Sequence, residues 1–217
     1  MQKMLQHWLN KYPDETGNYI DNMIVATKGD HQCHQQIVSE LLNIFQENSY
    51  FLHPTKCEFK VSKIKCLGLI VDGTTLSIDL KKADGLHNWP WTLSTVKEVQ
   101  SMLGVLGYQR PFIPHYANIV RPLMNLTKKN IPVIWTQECQ TALDTLINAV
   151  TGGPTLAQPD MEKLFFLQVD VSAYATGAIL SQKDDRGKQC TVRFLSKTFN
   201  KAEHNYDIHD RELLVVF

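Results

Sequence analysis

A chain of 217 residues is long enough for one large or two small domains, and a composition 43% hydrophobic and 20% charged excludes the disordered and fibrous classes. Lysine plus arginine number 22 and aspartate plus glutamate 22, so the whole chain gives no electrostatic argument for a polyanionic partner. Residues 61–130 alone carry 9 basic and 4 acidic groups, a net +5 that can attract phosphates, although a solvated helical face is the commoner meaning of so small an excess.

The N-terminal residues place Leu5, Trp8 and Leu9 at helical spacing, in a helix that starts abruptly enough to suggest a chain cut at its beginning. "YPDETGN" breaks this pattern, and "MIVAT" supplies a β-branched run after Asp21–Asn22, so a hairpin is expected around residues 19–27. Ile37, Val38, Leu41, Leu42 and Phe45 then recur at intervals of three and four, predicting a helix within 31–50. "IKCLGLIV", Asp72–Gly73 and "TTLSI" read as strand, turn, strand, because Asp-Gly supplies the positive φ angles of a tight hairpin.

After Ile78 the texture becomes helical, in "LKKADGLHNW", in "STVKEVQSMLGVLGY" with Thr95 and Glu98 at capping-box spacing, and from Tyr116 to Lys129. In this layer Trp89, Tyr108, Phe112 and Tyr116 are expected in the core rather than as stacking platforms. "KKNIPVIW" is the linker candidate, and a further helix from Cys139 ends at Gly152–Gly153. Strands come next in "KLFFLQVDVS", "ATGAILSQK" and "CTVRFLS", with a turn at "DDRGK", and a final helix begins near Lys201. The five cysteines contain no CxxC pair, no apolar run approaches the roughly 18 residues of a membrane span, and no signal-peptide apolar core opens the chain. We therefore expect an intracellular protein, cytoplasmic or nuclear, without a membrane partner.

Two-metal phosphoryl chemistry needs several carboxylates held on rigid elements, since hard cations prefer oxygen ligands. Asp21 in a hairpin turn and Asp170 at the end of "FFLQVD" are candidates, although a lone aspartate in such a place is more often a turn-former. Their neighbours change this reading. "YIDN", "FLHPTKCEF", "CLGLIV", "KEVQSMLGVLGYQRPFIPHYANIVRPLMNLTKK", "WTQECQTAL", "LAQPD", "VDVSAYATGAILSQ" and "AEHNYDIHDRELL", in this order over nearly the whole chain, resemble the pol polyprotein of gypsy-type LTR retrotransposons.

The resemblance implies an α+β chain: a partial reverse transcriptase palm at 1–78, thumb-like helices at 79–131, and the N-terminal portion of an RNase H-like α/β domain at 132–217. "YIDN" takes the place of the family's Y-x-D-D turn, so Tyr19 would lie beside the primer end and Asp21 would be a catalytic metal ligand. Asn22 departs from the pattern; its amide oxygen can ligate a cation but brings no charge. The polar "DETGN" is a second departure, where the family has an apolar strand. Lys56 matches a lysine at the edge of the polymerase site, and Leu67 and Gly68 match the hairpin that supports the primer strand. Lys97, Arg110, Arg121, Lys128 and Lys129 would meet phosphates of the template-primer, with Arg110 also a candidate helix cap. Asp170 and Glu212 match the first two metal carboxylates of RNase H-like domains, whereas His204 and His209 read as helix-surface residues.

The implied cofactor is Mg2+ or Mn2+, weakly bound or absent here, and the implied partners are an RNA–DNA hybrid or template-primer duplex and the missing pol segments. The function so implied is RNA-directed DNA synthesis with hydrolysis of the RNA strand, both sites being incomplete and the chain inactive alone. The alternative is a decayed or domesticated, non-enzymatic product that binds nucleic acid or protein.

Overall fold

The computed structural model describes residues 2–27, 31–79, 81, 85–86, 93–152 and 155–214. Contacts divide the chain into two compact units, Met1–Phe59 and Lys60–Phe217. Among the described residues no helix is long and apolar enough to cross a membrane.

In the first unit, α1 (Gln2–Leu9) leads into a hairpin of β1 (Thr16–Tyr19) and β2 (Asn22–Val25), and α2 spans His31–Glu47. Leu5 and Leu9 of α1 meet Ile37, Leu41 and Phe45 of α2 in one buried cluster, with Met23 and Val25 of the hairpin packed against it. This contact explains why the polar "TGNY" forms a strand at all: β1 carries no apolar stripe of its own, but β2 does, and the ladder from Thr16↔Val25 to Tyr19↔Asn22 holds β1 in place. The Thr16 hydroxyl further anchors β1 by donating to the Leu9 and Tyr12 carbonyls at 3.0 and 2.6 Å.

The second unit opens with β3 (Lys63–Cys66), β4 (Leu69–Asp72) and β5 (Thr75–Ile78), an antiparallel meander completed by the short β6 (Leu156–Ala157) on β5. The tight turn after β4 is Gly73–Thr74, with only Gly73 at positive φ, 48°; Asp72 is still paired, opposite Thr75. The β5–β6 ladder joins the meander to the C-terminal half. For this reason residues 60–78 cluster by contacts with the C-terminal unit.

Of "LKKADGLHNW" only 81 and 85–86 are described, and Trp89 lies outside the described residues. The helical layer contains α3 (Val96–Tyr108), a 3-10 turn at Arg110–Phe112, α4 (Tyr116–Ile119) and α5 (Arg121–Asn125). The single helix expected from Tyr116 to Lys129 is thus two short ones. Pro122 interrupts it, since proline lacks the N–H that would continue the ladder and restricts the residue before it. Phe112 and Tyr116 are buried, but Tyr108 is half exposed, a departure from the expected core position.

Helix α6 (Gln137–Thr151) is capped by Thr136 and shares one core with this layer: Val99, Met102 and Leu106 pack in a cluster with Leu123, Leu143 and Leu146. The connecting segment contributes too, through Val133 and Trp135, so it is a packed strap rather than a loose linker. The last sheet is antiparallel, β7 (Phe165–Val171), β8 (Ala175–Lys183) and β9 (Gln189–Thr198), with a bulge at Leu180/Ser181. Beyond β9 lie a 3-10 turn at Glu203–Asn205 and α7 (Ile208–Leu213), and α7 packs beside β7.

Candidate nucleic-acid and metal sites

The "YIDN" hairpin turns on Ile20–Asp21, since Tyr19 and Asn22 are paired across it. Ile20 has φ 57°, where a β-branched side chain is strained by about 1–3 kcal/mol. The turn is presented to solvent: Tyr19 is 53% and Ile20 58% exposed, and Asp21 and Asn22 are exposed as well. Lys56 ends an exposed 3-10 turn, Pro54–Lys56, in the same unit.

Between β3 and β4, Leu67 and Gly68 form a two-residue turn in which both φ angles are positive, 53° and 81°. Two donors brace it. The Tyr108 hydroxyl at the end of α3 donates to the Leu67 carbonyl at 2.8 Å, and the Asp79 N–H donates to the Gly68 carbonyl at 3.0 Å. The first of these bonds accounts for the position of Tyr108, whose polar tip reaches a backbone acceptor at the surface.

At the start of α3, the Ser94 and Thr95 N–H groups donate to Glu98 Oε2 at 2.9 and 3.0 Å, and the Glu98 N–H donates to the Thr95 hydroxyl at 3.3 Å. The Ser94 backbone bond first, then that from Thr95, holds the Glu98 carboxyl below its ordinary value of 4.5. Lys97, Lys128 and Lys129 are exposed. Arg110 lies 5.8 Å from the Tyr116 ring, and the Arg121 guanidinium stacks 3.5 Å above the Tyr174 ring.

Asp170 sits near the end of β7, opposite Gly177 of β8. Its carboxylate is 69% exposed, and Oδ2 lies 3.5 Å from Nδ1 of His115, which heads α4 with φ 52°. The two residues share a small cleft with Pro114, Gln168, Gly177 and Phe194. Glu212 is exposed on α7, the helix beside β7, so the fold brings its element to that of Asp170. His204 is exposed, packed edge-on to Tyr174 and Phe199.

The donors do not fit a paired-cation centre. The turn offers one carboxylate and one amide, Asp170 faces a histidine nitrogen, and no group of three His, Cys, Asp or Glu able to hold a metal occurs among the described residues. His115, Tyr108 and Tyr174 carry contacts at these sites that sequence reasoning missed. No spacing signals them, because their partners lie 41 to 55 residues away and only the tertiary fold joins them.

Residues 1–71 match the family described as reverse transcriptase (RNA-dependent DNA polymerase), and residues 135–217 match the RNase H-like domain found in reverse transcriptase. The fold resembles that of the foamy viral protease-reverse transcriptase solved in complex with an RNA/DNA hybrid (TM-score 0.81, 21% identity, 99% of this chain and 29% of that one). It also resembles the same protein in complex with double-stranded DNA (TM-score 0.79, 21% identity, 97% and 44%). Fold and family matches together define a reverse transcriptase segment that runs into an RNase H-like domain. Among curated proteins, the Tf2-7 transposon polyprotein of Schizosaccharomyces pombe is 30% identical over 198 residues, and the Tf2-3 polyprotein of the same yeast 29%. By these likenesses the chain corresponds to a fragment of a retrotransposon pol polyprotein. The match to Tf2-7 covers 91% of this chain and about 15% of that polyprotein's length.

Proposed function

We propose that this chain is a duplex-binding part of a retrotransposon reverse transcriptase, with residues 1–78 as palm, 79–131 as thumb and 132–217 as RNase H-like portion. Its ligand is an RNA–DNA hybrid or template-primer duplex, gripped through the phosphate backbone without sequence preference. Tyr19, Lys56, Leu67 and Gly68 face the primer strand in this reading, and Lys97, Arg121, Lys128 and Lys129 the backbone. The observation that carries it is the net +5 of residues 61–130, whose Lys97, Lys128 and Lys129 are exposed on a fold that a foamy viral relative uses with an RNA/DNA hybrid bound.

Polymerisation and RNA-strand hydrolysis belong, in the same reading, to the whole polyprotein, whose other segments are this chain's partners in catalysis. Asp21, Asn22, Asp170 and Glu212 are the groups that the family likeness assigns to Mg2+ or Mn2+. The donors that this chain offers favour binding without catalysis. Fluorescence anisotropy of a labelled hybrid, titrated with salt, tests the proposal. Each lost phosphate contact lowers the slope of log affinity against log salt by about 0.7–0.9. Lys97→Glu with Lys128→Glu is therefore expected to weaken binding and flatten the slope, and an affinity indifferent to salt or to both substitutions overturns the proposal.

A further inference from the structure

We propose that Glu203 is a positioning residue: with Arg211 it braces the strap between β9 and α7, and so holds the helix that carries Glu212 against the strand that carries Asp170. The proposal rests on the family assignment of those two carboxylates to one site, and names the residues that keep their elements together.

Between Thr198 and Ile208 the chain turns back from β9 toward β7. Such a connection is ordinarily polar and solvated. Glu203 within it is nevertheless only 7% exposed, and it and Asp79 are the buried acids among the described residues. A buried carboxylate is costly unless it is paired. Here Oε1 accepts from Lys197 Nζ of β9 at 2.9 Å, and Oε2 from the Asn200 N–H at 2.8 Å. Asn200 reciprocates, its Oδ1 accepting from the N–H groups of Glu203 and Ala202 at 2.9 and 2.8 Å. This is the exchange of a capping box, placed at the mouth of the 3-10 turn and tied to the sheet by charge.

Arg211 grips the strap from the other side. Its Nε donates to the Tyr206 carbonyl at 2.9 Å and its Nη2 to the His204 carbonyl at 2.7 Å, while the guanidinium lies 5.6 Å from the ring of the buried Phe199. Contacts thus run from Lys197 on the sheet through the strap to Arg211, the neighbour of Glu212. Helix α7 has six residues, far fewer than the roughly 12–15 that a helix needs to hold in water by itself. Its place beside β7 therefore depends on such contacts.

The charged groups acting on Glu203 are Lys197 of β9 and His204 of the strap. The Lys197 bond first, then the Asn200 N–H, holds the carboxyl below its ordinary value of 4.5. The brace is therefore whole above that value and is lost as pH falls through the lower folded one. Hybrid binding through Lys97 and Lys128 makes no use of this brace, so either reading can fail alone.

The experiment uses the 217-residue chain and NMR. It compares protection of the Arg211 and Leu214 amides, which donate to the Asp207 and Asp210 carbonyls, with that of the β8 amides, and follows Overhauser contacts between α7 and β7. Loss of one hydrogen bond changes an opening equilibrium roughly three- to tenfold. Near neutral pH, Glu203→Ala should lower protection at Arg211 and Leu214 by at least that factor and weaken the α7–β7 contacts, with β8 unchanged. Glu203→Gln keeps an acceptor for Asn200 but no charge for Lys197, so it should lose part of the protection and most of the acid dependence that the wild-type chain shows. Should Glu203→Ala fail to fold, the wild-type acid titration set beside that of Glu203→Gln decides. Unchanged α7 protection in Glu203→Ala, β8 protection that falls in step with it, or an acid dependence as steep in Glu203→Gln as in the wild-type chain overturns the proposal.

Discussion

The Leu67–Gly68 turn allows two neighbouring substitutions to be assigned opposite signs. Both residues have positive φ, 53° and 81°, the requirement of the mirror-image turns that match strand twist. A side chain in the left-handed region costs about 1–2 kcal/mol. Leu67 therefore carries a penalty that Gly68 escapes. Leu67→Gly removes this penalty but adds about 0.5–1 kcal/mol of chain entropy lost on folding, leaving a gain of about 0.5–1 kcal/mol. Leu67 is 42% exposed, so the burial forfeited is small. Gly68→Ala incurs the penalty anew, partly offset by the same entropy term in reverse, and loses about 0.5–1 kcal/mol. The variants thus differ by about 1–2 kcal/mol, or a few degrees in melting temperature for a chain of this size. Urea denaturation, with amide exchange read in β3 and β4, measures both. If Leu67→Gly destabilises as much as Gly68→Ala, or if Gly68→Ala is neutral, the backbone argument fails.

Acid should loosen the start of α3. The folded carboxyl of Glu98 is held below its ordinary value of 4.5 by N–H donors, so its stabilisation is complete above that value and disappears as pH falls through the lower folded one. Amide exchange at the first turn of α3 should accelerate in that window, and Glu98→Gln should abolish the pH dependence; equal dependence in the variant would contradict the assignment. Asn22→Asp should give no primer extension with Mg2+ or Mn2+ in the 217-residue chain, because the turn gains one carboxylate and no third ligand among the described residues. Extension that Asp21→Ala removes would refute this.

Local chemistry was legible in the sequence wherever one short stretch decides the structure. The Thr95–Glu98 spacing announced a capping box that forms in full, and the period of Ile37, Leu41 and Phe45 announced α2 with those residues buried. Asp21 falls in a tight turn, as the "YIDN" block implies. Other features depend on distant partners. β6 is two residues long and is defined only by its pairing with β5, a strand far back in the chain, so no periodicity betrays it. The stacking of Arg121 on Tyr174 is one such feature, since 53 residues separate the pair. The approach of His115 to Asp170 is equally invisible in the sequence, because it is made by a segment that shares no local pattern with β7.

Strand β7 also bears on how this chain behaves among its neighbours. Among the described residues it pairs on one side alone, with β8, while Phe165, Phe166, Leu167 and Val169 remain partly open to solvent. Proteins commonly guard such a border with lysine, proline or a bulge, and "FFLQVDV" has none of these; the bulge in this sheet lies between β8 and β9. The sheet is therefore open to growth, ready to accept a strand from any source without rearranging its own. Its width is a property of the company it keeps, and concentration, fusion partners and whatever else is expressed alongside will decide whether that border recruits a useful strand or seeds a precipitate.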